Sequence, residues 1–417
     1  MKRLPILLFA ILAVLNSYGQ QITLSGKVID QETGEGLFAV NVVLLKEFTG
    51  VITIETGEFR LSVPQTAKND SVQFSFIGYG TKRLAVKDMI GQQNIISLPK
   101  SAFMLDEAVV VGLPMSAKDY ILAAYRHIPD NYFREDKSML ITADYYSFMV
   151  ENDKCVKYEE AVCSMHIPAI NKDTLPPSTL IVHAREDKNV VEQQLMQYYP
   201  QKKKNGDTSP ADFLCILFQR DYVPAFDQYE VRGELFSSEK EIKSTKFTLE
   251  GVVEYNGMEL LVISAKQPLA GINTYYYIDK DSYAFVFIEE ELVVPKGLFS
   301  LVYTGMKLKG NGFVFSNRTQ YCKVGDKWDI ASKQQNMTYQ LTTKRRSSGV
   351  ELTFNYVVES ALVAISREET DQQPYSEEIR YNKDKGSLVE QAQNQDPTFW
   401  DTYKPLRPKK FEEALNK

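Results

Sequence analysis

From Lys246 to Val363 the chain repeats one pattern: a run of alternating apolar and polar residues, a short cluster of Gly, Asn or Asp, then another run. The runs are Lys246–Tyr255, Met258–Lys266, Thr274–Ile278, Ala284–Val294, Phe299–Lys307, Phe313–Val324, Lys327–Tyr339 and Glu351–Val363. Between them stand Asn256-Gly257, Asp279 to Ser282, Lys309-Gly310-Asn311-Gly312 and Gly325-Asp326. Such residues accept the left-handed backbone of tight hairpins. Period-two runs joined in this way predict a meander, one large curved antiparallel sheet. Met139–Val150, Lys154–Ile167 and Thr179–Ala184 add candidate strands upstream.

Helical signals are few. Ser116-Ala117-Lys118-Asp119 reads as a capping box ahead of the stripe Tyr120, Ile121, Ala124, Tyr125 and Ile128, which Pro129 ends. Ser209-Pro210-Ala211-Asp212 reads as a second box, opening a short helix through Phe213, Leu214, Leu217 and Phe218. From Glu368 the chain turns polar, as in a linker or loosely ordered arm. Phe399, Trp400 and Tyr403 then form an aromatic clamp expected to tuck the tail against the body.

The stretch from Leu24 to Leu98 has a pattern of its own, short apolar runs separated by Gly, Asp, Asn and Pro. Ile22, Leu24, Val28, Val40, Val42 and Leu44 are the candidate inward positions of a small antiparallel sandwich, and Phe74, Phe76 and Tyr79 belong to a half-buried strand. Four segments carry a resemblance: Ser25-Gly26-Lys27-Val28, Thr33-Gly34-Glu35-Gly36-Leu37, Gly57-Glu58-Phe59-Arg60-Leu61 and Phe74-Ser75-Phe76-Ile77-Gly78-Tyr79. Together they resemble the carboxypeptidase-regulatory-like domain found at the front of many Bacteroidota envelope proteins, including SusC-type TonB-dependent transporters. The resemblance implies a transthyretin-like, seven-stranded β-sandwich without catalytic residues of its own. Leu105-Asp106-Glu107-Ala108-Val109-Val110-Val111-Gly112 is similar to the acidic-then-valine segment near the TonB-engaging site of those transporters. Asp106, Glu107, Val109, Val110 and Val111 are thus a candidate segment for β-augmentation, in which an extended strand edge pairs with a partner. The preferred reading is plainer, a last sandwich strand or a linker strand. A plug and a 22-stranded barrel do not fit in the residues that remain. The segment Gly251 to Tyr255 with Gly271 to Ile288 bears a fainter resemblance to the half-barrel sheets of LolA-like lipoprotein carriers.

These readings give a mainly β chain, an Ig/transthyretin-like sandwich followed by a β-rich α+β body. Its expected organisation is a signal peptide at 1–19, the sandwich at 20–100, a linker strand at 101–115, the body at 116–367, and a polar arm with the C-terminal tail at 368–417. The signal rests on Lys2 and Arg3, the apolar stretch Leu4 to Leu15, and small residues before a cut at Gln20. The apolar stretch is shorter than the roughly 20 residues of a spanning helix. Export to the periplasm, or to either face of the outer membrane, is therefore expected.

The net charge of −6 and the lack of a basic stripe exclude a nucleic-acid partner on electrostatic grounds. Lys202-Lys203-Lys204 reads as a solvated loop tip. Four cysteines, Cys155, Cys163, Cys215 and Cys322, imply no disulfide framework, and pairing among them is left open. The carboxypeptidase association invites a search for zinc ligands. His183-Ala184-Arg185-Glu186 has the His-x-x-Glu spacing, but only His127 and His166 remain as further histidines, and both precede it. No nucleophile elbow, phosphate loop or dinucleotide fingerprint stands in the sequence. Glu289 and Glu291 share a strand face, where like charges could raise one pKa, although a solvated face explains them more simply. The remaining ligand signal is aromatic. Tyr275 and Tyr277 share one face, with Tyr276 opposite, and could stack on sugars or touch acyl chains.

These signals together predict a non-catalytic cell-envelope binding or assembly protein without metal or cofactor. Its contacts would be with an envelope protein, glycan or lipid, compatible with outer-membrane association. The alternatives are a LolA-like carrier of lipid or lipoprotein acyl chains, and an accessory to TonB-dependent uptake.

Overall fold

The computed structural model describes residues 21–46, 49–100, 114–132, 134–169, 177–186, 236, 238–267, 271–294, 308–344, 351–372, 375–382, 385–394, 396, 398–403 and 405–409. The protein is mainly β and divides into two compact units, residues 1–100 and 101–417.

In the first unit, β1 (Gln21–Asp30), β2 (Asn41–Leu44), β3 (Thr49–Ile52), β4 (Glu58–Pro64), β5 (Ser71–Ser75), β6 (Lys82–Ala85) and β7 (Gln93–Leu98) form two sheets. Their orders are β4-β1-β7 and β3-β2-β5-β6. Strand β4 shows why they stack: Phe59, Leu61 and Val63 alternate inward with outward Arg60 and Ser62. Leu24, Val28, Val42, Leu44 and Phe74 meet them in one core, and the rings of Phe59 and Phe74 pack edge to face at 5.4 Å. A helical turn, α1 (Val86–Met89), adds Val86 and Met89 to that core. The seven strands implied by the resemblance are present, but the expected antiparallel sandwich is mixed, because β7 pairs parallel to β1.

The second unit is built on a ten-stranded antiparallel sheet. Its strands are β8 (Ser138–Glu151), β9 (Lys154–Ile167), β10 (Ser178–Glu186), β11 (Phe247–Tyr255), β12 (Met258–Gln267), β13 (Ile272–Asp279), β14 (Phe285–Val294), β15 (Leu308–Val324), β16 (Lys327–Lys344) and β17 (Glu351–Thr370). The order β10-β9-β8-β17-β16-β15-β14-β13-β12-β11 joins two meanders where β17 returns beside β8. Asn152 and Asp153, and likewise Asn256 and Gly257, close two-residue hairpins with positive φ at both positions, which short polar side chains or glycine tolerate best. Bulges in β8–β9, β9–β10, β11–β12, β13–β14, β15–β16 and β17–β8 bend the ladder.

One face of this sheet is covered by helices. Helix α2 (Ala117–Arg126) opens with the Ser116–Asp119 capping box and is followed by α3 (Ile128–Tyr132). Pro129 therefore lies in the first turn of α3, where its missing N–H costs nothing, and the end of α2 is set by His127. The α2 residue Arg126 is paired with Glu239 of α4 (Glu239–Ser244). Beneath them Tyr276 packs with Phe236, Phe247 and Phe285. At the far end of the same face, Tyr381 with Leu388 and Ala392, at α5 (Leu388–Gln391), joins Met139, Ile141, Tyr145 and Leu362 in a second core.

Two further expectations change. Lys309 to Gly312 is not a hairpin turn. Leu308, Lys309 and Gly310 already pair with Thr343, Thr342 and Leu341, and the ladder resumes at Phe313 after a bulge, with Gly312 at φ 110°. A Gly-rich tetrapeptide serves a bulge as readily as a turn, and only the partner strand distinguishes them. The polar arm after Glu368 is not loose in its described parts. Strand β17 runs on to Thr370, Tyr381 is buried, and the chain crosses the β10 edge at Gln393 and Asn394, whose N–H groups donate to the carbonyls of Ile181 and Val182 at 3.0 and 2.9 Å.

The segment Asp106 to Val111, the second capping box, the signal stretch, Cys215 and the whole run Phe299–Lys307 lie outside the described residues. Among the described residues no helix is long and apolar enough to cross a membrane.

Candidate functional site

The face of the large sheet opposite the helices is where the sequence's candidate aromatics fall. Alternation along β13 sends Tyr276 to the helices and Tyr275 and Tyr277 to this face. The register then lines up a single row across eight strands: Tyr275, Glu289, Arg318, Gln334, Ala361, Tyr146, Glu160 and Arg185. A flanking row carries Tyr277, Phe287, Gln320, Ser332, Val363 and Asp144, and the row on the other side carries Glu291, Ser316, Asn336 and Glu359. Directly opposed cross-strand residues stand about 5 Å apart, so these rows are contact neighbours.

The charges at the row's centre are held by the protein itself. Arg318 pairs with Glu289 at 2.5 Å, and Tyr277 donates its hydroxyl to the other oxygen of that carboxylate at 3.0 Å. Burial and the neighbouring Glu289 push the Tyr277 phenol well above its ordinary range, so it remains a donor at neutral pH. Gln320 donates to the Tyr255 hydroxyl at 3.1 Å. Beside them Gln334 is only 5% exposed, and its amide nitrogen has no hydrogen-bond partner. A buried amide donor left open is costly and marks a place where an acceptor fits.

The opposite end of the row is occupied. Tyr403 and Arg407, from the segment after α6 (Phe399–Thr402), descend onto Asp144 and Glu160. Arg407 meets Asp144 at 2.8 and 3.2 Å and Glu160 at 2.8 and 2.5 Å, over the Tyr146 ring at 5.0 Å. Burial pushes the Asp144 carboxyl up, and Glu160 adds to this while Arg407 opposes it. Burial works against the Arg407 charge as well, but the two carboxylates more than offset it. Phe399 stacks on His183 at 3.7 Å, and Trp400 lies 4.5 Å from the Arg185 guanidinium, which also pairs with Glu160. The aromatic clamp therefore lies on the β10 edge.

This contact decides the fate of the His-x-x-Glu spacing. The His183 ring is covered by Phe399, and its Nε2 lies 3.4 Å from the Asn394 amide. Three residues along a strand is an odd step, so Glu186 projects to the other face, where it pairs in register with Glu159. The two do not converge. Glu289 and Glu291 do share a face, but Glu289 is bound by Arg318 and Tyr277 and is not held beside a second bare carboxylate.

An open groove of about 490 Å³ lies beyond the Glu291 row, its wall formed by Val293, Val314, Thr338 and Val357. Among the described residues of the β11–β14 hairpins, only Val293 and Val294 at the end of β14 line it, while Leu261, Ile263, Ile278 and Phe285, on the Tyr276 side of the sheet, are fully buried. Sequence alternation finds the Tyr275–Tyr277 pairing. It misses Arg318, Gln334 and Arg407, which join the site only through long-range register.

Residues 24–110 match the CarboxypepD_reg-like domain family. The TonB-dependent receptor SusC of Bacteroides thetaiotaomicron is 38% identical over 111 residues, which is 27% of this chain and 10% of the receptor. The chain therefore spans a tenth of the length of that curated relative. Among solved structures, a DUF1329 family protein from Desulfovibrio piger aligns at 8% identity over 60% of this chain and 91% of its own, with a TM-score of 0.20. Lipovitellin aligns at 11% identity over 58% of this chain and 26% of its own, with a TM-score of 0.24. Overlaps this slight bear on neither fold nor function.

Proposed function

We propose that this chain is a non-catalytic binding or assembly component of the cell envelope. The sandwich would supply its attachment, as a module shared with a TonB-dependent receptor, and the polar face of the large sheet would supply a ligand surface. One observation carries the ligand surface: Tyr275, Tyr277, Glu289 and Arg318 stand in register beside Gln334, whose buried amide donor is unpartnered. Fixed donors and acceptors with half-buried rings suit a hydroxyl-rich or peptide ligand better than an acyl chain, which has nothing to offer a buried amide.

The test is equilibrium binding of the full chain to soluble envelope glycans and to detergent-extracted outer-membrane proteins. Saturable binding is expected, with affinity lowered about tenfold by Tyr277→Ala, roughly 1.4 kcal/mol. Turnover of a peptide or glycan that disappears when Glu289 and Glu291 become Gln would sink the non-catalytic reading.

A further inference from the structure

We infer that the Asp144–Glu160–Arg185 end of the polar face is a receptor for a linear peptide bearing aromatic residues and an arginine, and that the chain's own residues 398–403 and 405–409 are its resident occupant. The segment is held by side chains. Phe399 lies on His183, Trp400 on Arg185, Tyr403 on Asp144, and Arg407 bridges Asp144 and Glu160. These four readers stand on one nine-residue stretch, as in a linear recognition motif, and α6 contributes a single turn.

The pocket's chemistry is specific for a guanidinium. Two carboxylates on neighbouring strands, both buried, accept from three nitrogens of one planar group, and the Tyr146 ring supports it from one side. Apolar side chains would anchor a permanent tail at lower desolvation cost. A buried acidic pair makes better sense where the occupant must be selected. The pocket is separate from the Tyr277–Gln334 centre, so this inference stands or falls independently of ligand binding there.

The experiment uses the full chain and a fluorescein-labelled peptide of residues 396–409. The Arg407→Ala chain, its own arm loosened, should bind the peptide about tenfold more tightly than the unaltered chain does. A peptide carrying Arg407→Ala should bind at least about tenfold more weakly than the native peptide. Should Arg407→Ala fail to fold, Phe399→Ala with Trp400→Ala loosens the arm while leaving Arg407 to neutralise the carboxylates until the peptide displaces it, and serves in its place. Hydrogen exchange on the unaltered chain is the second readout. Amides of 398–403 should open while β8 and β9 stay protected. Exchange of the arm only with global unfolding would overturn the proposal, as would absence of peptide binding to a folded variant. A concentration-dependent dimer formed by arm exchange would overturn it too, making a second copy the occupant.

Discussion

Arg407 faces Asp144 and Glu160 on one side and the Tyr146 ring on the other, and almost no water reaches it. Removing one partner of such a set leaves charge buried without compensation, which costs about 3–5 kcal/mol. Arg407→Ala should lose about that much in urea unfolding. Arg407→Lys keeps a positive charge and should lose less, yet still lose some, because one ammonium cannot serve both carboxylates as a planar fork does. The sign of the pH dependence follows from the carboxyls. Burial already pushes Asp144 up, and without Arg407 burial and Glu160 raise it with only the Tyr403 hydroxyl, the smallest influence, opposing them. A group raised in the folded state contributes stability below its unfolded pKa and loses it as pH rises through the folded value. The deficit of Arg407→Ala should therefore widen from pH 4 to pH 8. In the sandwich, Asp30 has the opposite sign. The N–H of Thr33, the Tyr79 hydroxyl at 2.7 Å and the N–H of Glu32 hold it down to about 2. Its contribution is present above about pH 3.8 and is lost as pH falls toward 2. Amide exchange in the turn after β1 should accelerate over that window beyond the intrinsic rate. Asp30→Asn should remove the pH step.

At the scale of elements, close approaches and caps set the tolerances. Gly57 has φ 82°, its carbonyl accepts from the Val28 N–H at 2.7 Å, and a Cβ there would strike the Val28 carbonyl oxygen. Gly57→Ala pays both the left-handed backbone and the collision, so it should destabilise the sandwich by more than about 1 kcal/mol. Exchange rates in β1 and β4 would report it. Ser116→Ala removes the α2 cap and should cost about 1 kcal/mol in urea unfolding of the body. The cap and the turn at Gly57 are legible in the sequence because each is local, a Ser three residues before Asp and a Gly-Glu after an apolar strand, whereas the approach of Gly57 to Val28 is not. The Asn256-Gly257 hairpin is legible for the same reason. Gly310 and Gly312 are not, since a bulge and a turn share composition and differ only in which strand lies alongside. The site divides in the same way. Tyr275 and Tyr277 can be assigned one face from alternation alone. Arg407 meets Asp144 across 263 positions of chain, and no local pattern specifies that contact.

Across the whole ten-stranded sheet, two edges must be kept from pairing with other chains. The β11 edge carries Glu250 and Glu254 and a bulge between Leu249 and Gly251, so its own sequence discourages strand addition. The β10 edge is built differently. Its middle residues, Leu180, Ile181 and Val182, are apolar, and the carbonyls of Thr179, Ile181 and Val182 are taken by the N–H groups of Tyr381, Gln393 and Asn394. Protection of that edge is delegated to the arm, which Tyr381, Leu388 and Ala392 anchor in the second core and which the Phe399–His183 stack and the Trp400–Arg185 contact pin further along. Such contacts are worth about 0.5–1.5 kcal/mol each. Phe399→Ala with Trp400→Ala should thus leave the fold intact but uncover the edge for a growing share of the time. Light scattering after size exclusion should then show concentration-dependent dimers and larger species that the unaltered chain does not form. Adding Val182→Lys, a charge on the edge strand itself, should return the double variant to monomer. Association that persists with Val182→Lys in place would mean the new contacts form elsewhere, and the arm would lose its role as guardian of the β10 edge.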